Sequence, residues 1–168
     1  MPKLAAHALE HGITGLSLRP LARAAGTSDR MLIYHFGNKE QLIADLLAFI
    51  AADLTQNLTT ALPPGPSTSR VACLTEVAGL MRNPAMRPYT QLWFDILAEA
   101  ARGQSAHAQT SAAIMAGFVG WIRSRLPADD PDPEGCAAHL LVLVEGMVMM
   151  DAAGQPEVAD AALAAYSG

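Results

Sequence analysis

The chain has 168 residues, 51% of them hydrophobic, which suffices for one ordinary domain or a small domain fused to a larger one. Its formal net charge of -5 argues against a protein that coats nucleic acid along its whole surface. Two cysteines far apart, Cys73 and Cys136, exclude a disulfide framework or zinc cluster and point to a reducing compartment, with the cytoplasm expected.

Taken in chain order, almost every segment reads as helix. Ala and Leu dominate, β-branched residues are few, and no stretch sustains a period of two. The opening "MPKLAAHALEHG" lacks the apolar centre of a secretory signal and reads as a short helix ended by Gly12 to Gly15. Ser17 is placed to cap a second helix, with Pro20 tolerated in its first turn because the missing N–H has no helical partner there. Gly26 ends that helix. Ser28 caps a third, with Asp29 near its positive end, and Gly37 closes it. Asn38 then caps a long fourth helix, in which Leu42, Leu46, Ile50, Leu54 and Leu58 form an amphipathic stripe with Ile43 and Leu47 beside it.

"LPPGPSTS", residues 62–69, is the clearest linker-like break. Helices are predicted beyond it at roughly 70–82, 88–102, 105–126, 134–152 and 156–166, separated by "NPAMRP", "RGQS", "PADDPDP" and "GQP". Helix 105–126 carries a stripe of small residues, Ala113, Ala116, Gly117, Gly120 and Ser124, that admits a second backbone closely. The longest apolar run, Cys136 to Met150, is interrupted by His139 and Glu145 and is not expected to span a bilayer. The helix containing it is apolar nearly all round, so one face can serve its own core and the other a second subunit. A central buried helix in a monomer is the alternative. Helices 134–152 and 156–166 are the predicted dimer interface, with Ala161, Ala162, Ala164 and Ala165 permitting close approach.

Charge is unevenly placed. Residues 1–40 hold five Lys or Arg against three acids, a balance of +2, leaving -7 for the remainder. A mildly basic head on an acidic body suits a molecule that touches phosphate at one end. Leu18, Leu21, Ala22 and Ala25 give the second helix an inward face; Leu32 and Phe36 do so for the third. Gly26-Thr27-Ser28 is the tight connection of a helix-turn-helix. The outward face of the third helix then presents Asp29, Arg30 and Tyr34, with Ile33 partly beside them. Arg30 can make two hydrogen bonds to guanine in the major groove. Thr27, Ser28, Tyr34 and His35 can bond to phosphates. Lys39 adds positive charge to a helix start that already favours an anion.

The stretch "GLSLRPLARAAGTSDRMLIYHFGNKEQL" resembles the DNA-binding segment of the TetR family of transcriptional regulators. The match runs through Gly12, Ser17, Leu21, Ala22, Ala25, Gly26, Ser28, Leu32, His35, Phe36, Lys39, Glu40 and Leu42, about a quarter of the chain. Thr27 stands where the family usually has Val. Ile33 stands where Tyr is usual, with Tyr34 following, so one phosphate contact is lost or moved by a residue. The first helix is short, with Lys3 its one strong base, so either the start is truncated or the basic arm contributes less. The DNA-contacting set is Ser17, Thr27, Ser28, Asp29, Arg30, Tyr34, His35 and Lys39.

The resemblance implies a carboxy-terminal body that dimerises and binds a small molecule, changing the separation of two DNA-reading heads. Soft side chains suited to an adaptable apolar cavity are Met81, Met86, Tyr89, Trp93, Phe94, Phe118, Trp121, Met147 and Met150, with His139 and Glu145 able to orient a ligand. Trp93 and Phe94 are adjacent on one helix and cannot face the same way. His7 and His11 lie on one helix face at a metal-compatible spacing but lack a third ligand in sequence. "DDPDPE", Asp129 to Glu134, lacks the glycine and spacing of a calcium loop and reads as a solvated loop. No nucleophile elbow, Cys/His constellation or phosphate-cradling loop marks an enzyme.

The expected architecture is all-α: a helix-turn-helix DNA-binding head over residues 1–41, joined by a long helix to a ligand-binding and dimerisation body over 42–168. The expected function is a cytoplasmic, homodimeric, non-enzymatic regulator, a repressor released from double-stranded operator DNA by a small molecule, with no cofactor or metal. The alternative is a helical dimeric interaction or small-molecule-binding module that has lost operator binding.

Overall fold

Glycines and short polar caps set the helix ends in the computed structural model, which describes residues 1–12, 16–103 and 105–168, with backbone alone at 105–107. The helices are α1 (Pro2–His11), α2 (Leu18–Ala25), α3 (Asp29–Phe36), α4 (Lys39–Ala61), α5 (Arg70–Met81), α6 (Arg87–Ala101), α7 (Ser105–Arg125), α8 (Pro133–Ala152) and α9 (Pro156–Ala165). A 3-10 turn at Pro84–Met86, capped by Asn83, fills the "NPAMRP" separator. No strand occurs among the described residues, as the missing period of two predicts. The expected turn at Gly12 to Gly15 lies mostly outside the described residues, as does Gln104.

Contacts sort the chain into two units, residues 1–54 with 88–114 and residues 55–87 with 115–168. The first unit is built on Leu4 and Ala8 of α1, Leu16, Leu21 and Ala22, Leu32 of α3, Leu42, Leu46 and Ile50 of α4, and Leu92 and Ile96 of α6. Leu21, Leu42 and Leu46 are fully buried. Burial of each such side chain stabilises by roughly 1.5–3 kcal/mol. The four-residue spacing along α4 explains why those leucines share one face.

The second unit packs α8 against both α5 and α9. Cys73, Leu74, Val77 and Ala78 of α5 are buried, as are Cys136, Ala137, Leu140, Val144 and Met147 of α8. Two ion-pair clusters tie the helix ends. Arg82, at the end of α5, meets both Asp151 oxygens (2.6 and 2.9 Å) and Asp160 (2.7 Å). These hydrogen bonds hold its guanidinium pKa above the ordinary arginine value. Arg70, at the start of α5, forms two parallel hydrogen bonds to Asp130 at 2.7 and 2.6 Å. They hold the Asp130 carboxyl below its usual range.

Asp130 therefore corrects the purely solvated reading of "DDPDPE", and Asp132 corrects it further. The Asp132 carboxylate accepts the Gly135 N–H at 3.0 Å and caps α8. The 62–69 break is also pinned. Ser67 is buried, donates its hydroxyl to Glu76 at 2.6 Å, and donates its N–H to the Arg125 carbonyl at 2.7 Å. Burial pushes the nearby Cys73 thiol up to about 11, which leaves it protonated and inert.

By length and composition α4 and α8 could each cross a bilayer, contrary to the expectation from apolar runs alone. Both bury apolar side chains within the protein, Leu42, Leu46 and Leu58 on α4 and Leu140, Val144 and Met147 on α8, as core helices do.

Candidate DNA-reading surface

The turn between α2 and α3 is set by its glycine. Gly26 is left-handed (φ 71, ψ 35). The Thr27 N–H reaches the Ala22 carbonyl at 2.9 Å and the Gly26 N–H reaches Arg23 at 3.1 Å, the paired bonds of a Schellman ending. Ser28, in extended backbone, accepts the Met31 N–H at 3.3 Å and starts α3. Leu32 buries, and Phe36 packs half-buried on the same core, so both ends of the short helix are anchored. Asn38 accepts the Gln41 N–H at 2.7 Å and starts α4, with Lys39 its first residue. Ser17 occupies the cap position of α2 in extended backbone, but its side chain makes no capping hydrogen bond.

The predicted contact residues come together on this segment. Ser17, Thr27, Ser28, Asp29, Arg30, Tyr34, His35 and Lys39 are all exposed. Tyr34 stands out at 78% exposure, and its ring meets His35 edge-on at 5.5 Å. Among the described residues, Arg19, Arg23, Arg30 and Lys39 form no salt bridge. Arg19 and Arg23, one turn apart on α2, were not singled out from sequence as contact residues, although their i, i+4 spacing carries that signal. Met31, 42% exposed beside Tyr34, also lies outside the predicted set.

The His7 and His11 rings stack at 4.2 Å, with His11 Nδ1 hydrogen-bonded to the His7 carbonyl at 3.0 Å. That bond commits one of the two nitrogens on His11 to the backbone.

The residues predicted to bind a ligand are distributed over both units. In the first, Tyr89 and Trp93 pack half-buried on the core, and the Tyr89 hydroxyl donates to Asp53 at 3.2 Å. Phe94 is half-buried too. In the second, Trp121 is buried and donates its indole N–H to the Thr59 hydroxyl at 2.8 Å, while Met147 is buried in α8. Met81, Met86 and Phe118 are half-buried. His139 is exposed and meets the Tyr166 ring edge-on at 5.7 Å. A pocket of about 260 Å³ is lined by Arg70, Asp132, Gly135, Cys136, His139, Tyr166 and Gly168, so of the predicted ligand residues His139 alone lines it.

Comparison with known proteins agrees with this geometry. A family model of bacterial regulatory proteins, tetR family, matches residues 5–46. The HTH-type transcriptional regulatory protein RaaS of Mycobacterium tuberculosis (strain ATCC 25618 / H37Rv) is 36% identical over 67 residues, 40% of this chain. The match spans 31% of the length of that relative. Among solved structures, a TetR-family transcriptional regulator from Rhodococcus sp. superposes with a TM-score of 0.75 at 22% identity, covering 98% of this chain and 92% of that one. A transcriptional regulator from Rhodococcus sp. Rha1 gives 0.68 at 24% identity, covering 96% and 90%. At these identities the two structures establish the all-helical fold, while the family model speaks for residues 5–46. Residues 5–46 thus match the tetR-family segment, and the chain shares its all-helical fold along its length with these solved regulators.

Proposed function

We propose that the protein is a non-enzymatic, DNA-binding transcriptional regulator, acting in the cytoplasm as a homodimeric repressor released from its operator by a small molecule. One observation carries the DNA-binding part. A short helix, α3, is anchored by Leu32 and Phe36 and turns an exposed face bearing Arg30 and Tyr34 outward, with Arg19 and Arg23 exposed on α2 and Lys39 exposed at the start of α4. An α-helix fits the major groove, and unpaired cations beside it fit phosphate. The functional division we propose keeps residues 1–41 as the DNA-binding head and 42–168 as the ligand-binding and dimerisation body. Within the head, Arg30 reads base edges, while Ser17, Thr27, Ser28, Tyr34, His35 and Lys39 position the helix on the backbone.

The dimer reading is supported by apolar side chains that the single chain leaves in water. Val142 and Met149, two turns apart on α8, are 71% and 52% exposed, and Val158 on α9 is 47% exposed. In a two-fold pairing this strip meets its own copy. Two heads then have to match half-sites about 34–36 Å apart. A ligand releases DNA only if it binds another head spacing better. The large soft side chains of the body and His139 are the groups we assign to it.

The test is a gel-shift assay of the intact chain on duplex DNA flanking its own gene. Salt-sensitive, sequence-selective binding supports the reading. A dimer that binds no DNA even at low salt favours a helical interaction module instead.

A further inference from the structure

We infer that Met31 reads the C5-methyl group of a thymine in the major groove, an inference that rests on the DNA-binding reading above. Successive residues of an α-helix turn by about 100°. In α3 the buried Leu32 and half-buried Ile33 and Phe36 define the inward direction. Met31 and Tyr34 then fall about 30° either side of the outward direction, whereas Arg30 and His35 lie about 70° from it. Met31 and Tyr34 therefore occupy the middle of the presented face, with 42% and 78% of their surface exposed.

An apolar side chain in that position meets a groove floor made mostly of hydrogen-bonding groups. Methionine has no donor and only a weakly accepting sulfur. Opposite guanine, adenine or cytosine it would displace water from polar edges and return nothing for it. The thymine methyl is the apolar group that the major-groove edge displays. A flexible thioether chain adapts its end to such a target. Arg19 and Arg23 on α2, Arg30 on α3 and Lys39 at the start of α4 are exposed and supply the charge complementarity that makes duplex DNA the occupant of this face.

The experiment first enriches an operator by selection of random duplexes on the full-length protein. Each thymine of the enriched site is then replaced by deoxyuridine, which lacks only the methyl. Binding is followed by fluorescence anisotropy at fixed salt. Removal of one methyl contact is expected to weaken binding about fourfold per half-site. In Met31→Ala the same replacement should have no effect. Met31→Leu, which keeps an apolar end, should retain most of the discrimination. Circular dichroism confirms that both variants are folded, as expected for an exposed position. If deoxyuridine is tolerated everywhere, or if Met31→Ala still discriminates, the inference is overturned while DNA binding stands. A protein that enriches no sequence overturns the DNA-binding reading and this inference with it.

Discussion

Gly12 and Gly26 both adopt positive φ, yet alanine should cost very different amounts at the two sites. Gly26 lies in the ordinary left-handed region, and an added Cβ would meet nothing within 4 Å. A side chain there costs roughly 1–2 kcal/mol in backbone strain. The stiffer unfolded chain offsets about 0.4–1 kcal/mol of that. The net loss for Gly26→Ala is then about 0.5–1 kcal/mol. Gly12, with φ 62 and ψ -156, lies in a region essentially closed to other residues. Strain there is of order 1–3 kcal/mol. Its Cβ would also fall 2.7 Å from Oδ2 of Asp95, so the carboxylate must move. We expect Gly12→Ala to lose about 3 kcal/mol. Urea denaturation of the full chain, followed by far-ultraviolet circular dichroism, measures both. Equal losses at the two sites, or a loss at Gly12 no larger than at Gly26, would refute the reasoning.

Acid should weaken the Arg70–Asp130 tie. The folded-state pKa of Asp130 is held below its ordinary value, first by the Arg70 hydrogen bonds. Its contribution is fully present above the ordinary carboxylate range and disappears as pH falls through the depressed folded value. Arg70→Met should therefore lower the urea midpoint near neutral pH and narrow the gap to wild type as the solution is acidified; a gap independent of pH would contradict this. At the proposed subunit interface, Val142→Asp with Met149→Asp should shift the protein from dimer to monomer in sedimentation equilibrium with helical content largely kept. A dimer unchanged by the pair would move the interface elsewhere.

Several helix ends were legible in sequence because their determinants are local, though the Ser17 cap does not form and the Asp132 cap was not foreseen. Ser28 and Asn38 cap as their positions predict, because a side-chain oxygen needs to reach only the N–H three residues on. Gly26 and Gly37 end helices because both sit at positive φ. The leucine stripe of α4 was readable from its four-residue period. What escaped was set by distant partners. Arg125 is buried and reaches the Pro63 carbonyl at 3.0 Å and Glu76 at 3.3 Å, which turns an apparent linker into a pinned connection. No periodicity reports a contact across sixty residues, and the same holds for Arg70 with Asp130. Within the candidate site, the search for polar DNA contacts passed over Met31. Its place on the exposed face shows only when Leu32, Ile33 and Phe36 fix which way α3 faces.

The central claim is that α3 and the start of α4 engage duplex DNA in distinct ways. The most direct measurement is the salt dependence of operator binding by fluorescence anisotropy, for wild type, Arg30→Ala and Lys39→Ala. Lys39→Ala should weaken binding to all sequences and reduce the slope of log K against log salt by about 1. Arg30→Ala should relax preference at one base position, costing roughly 1–3 kcal/mol there. If neither change alters affinity, slope or preference, α3 is not the reading helix.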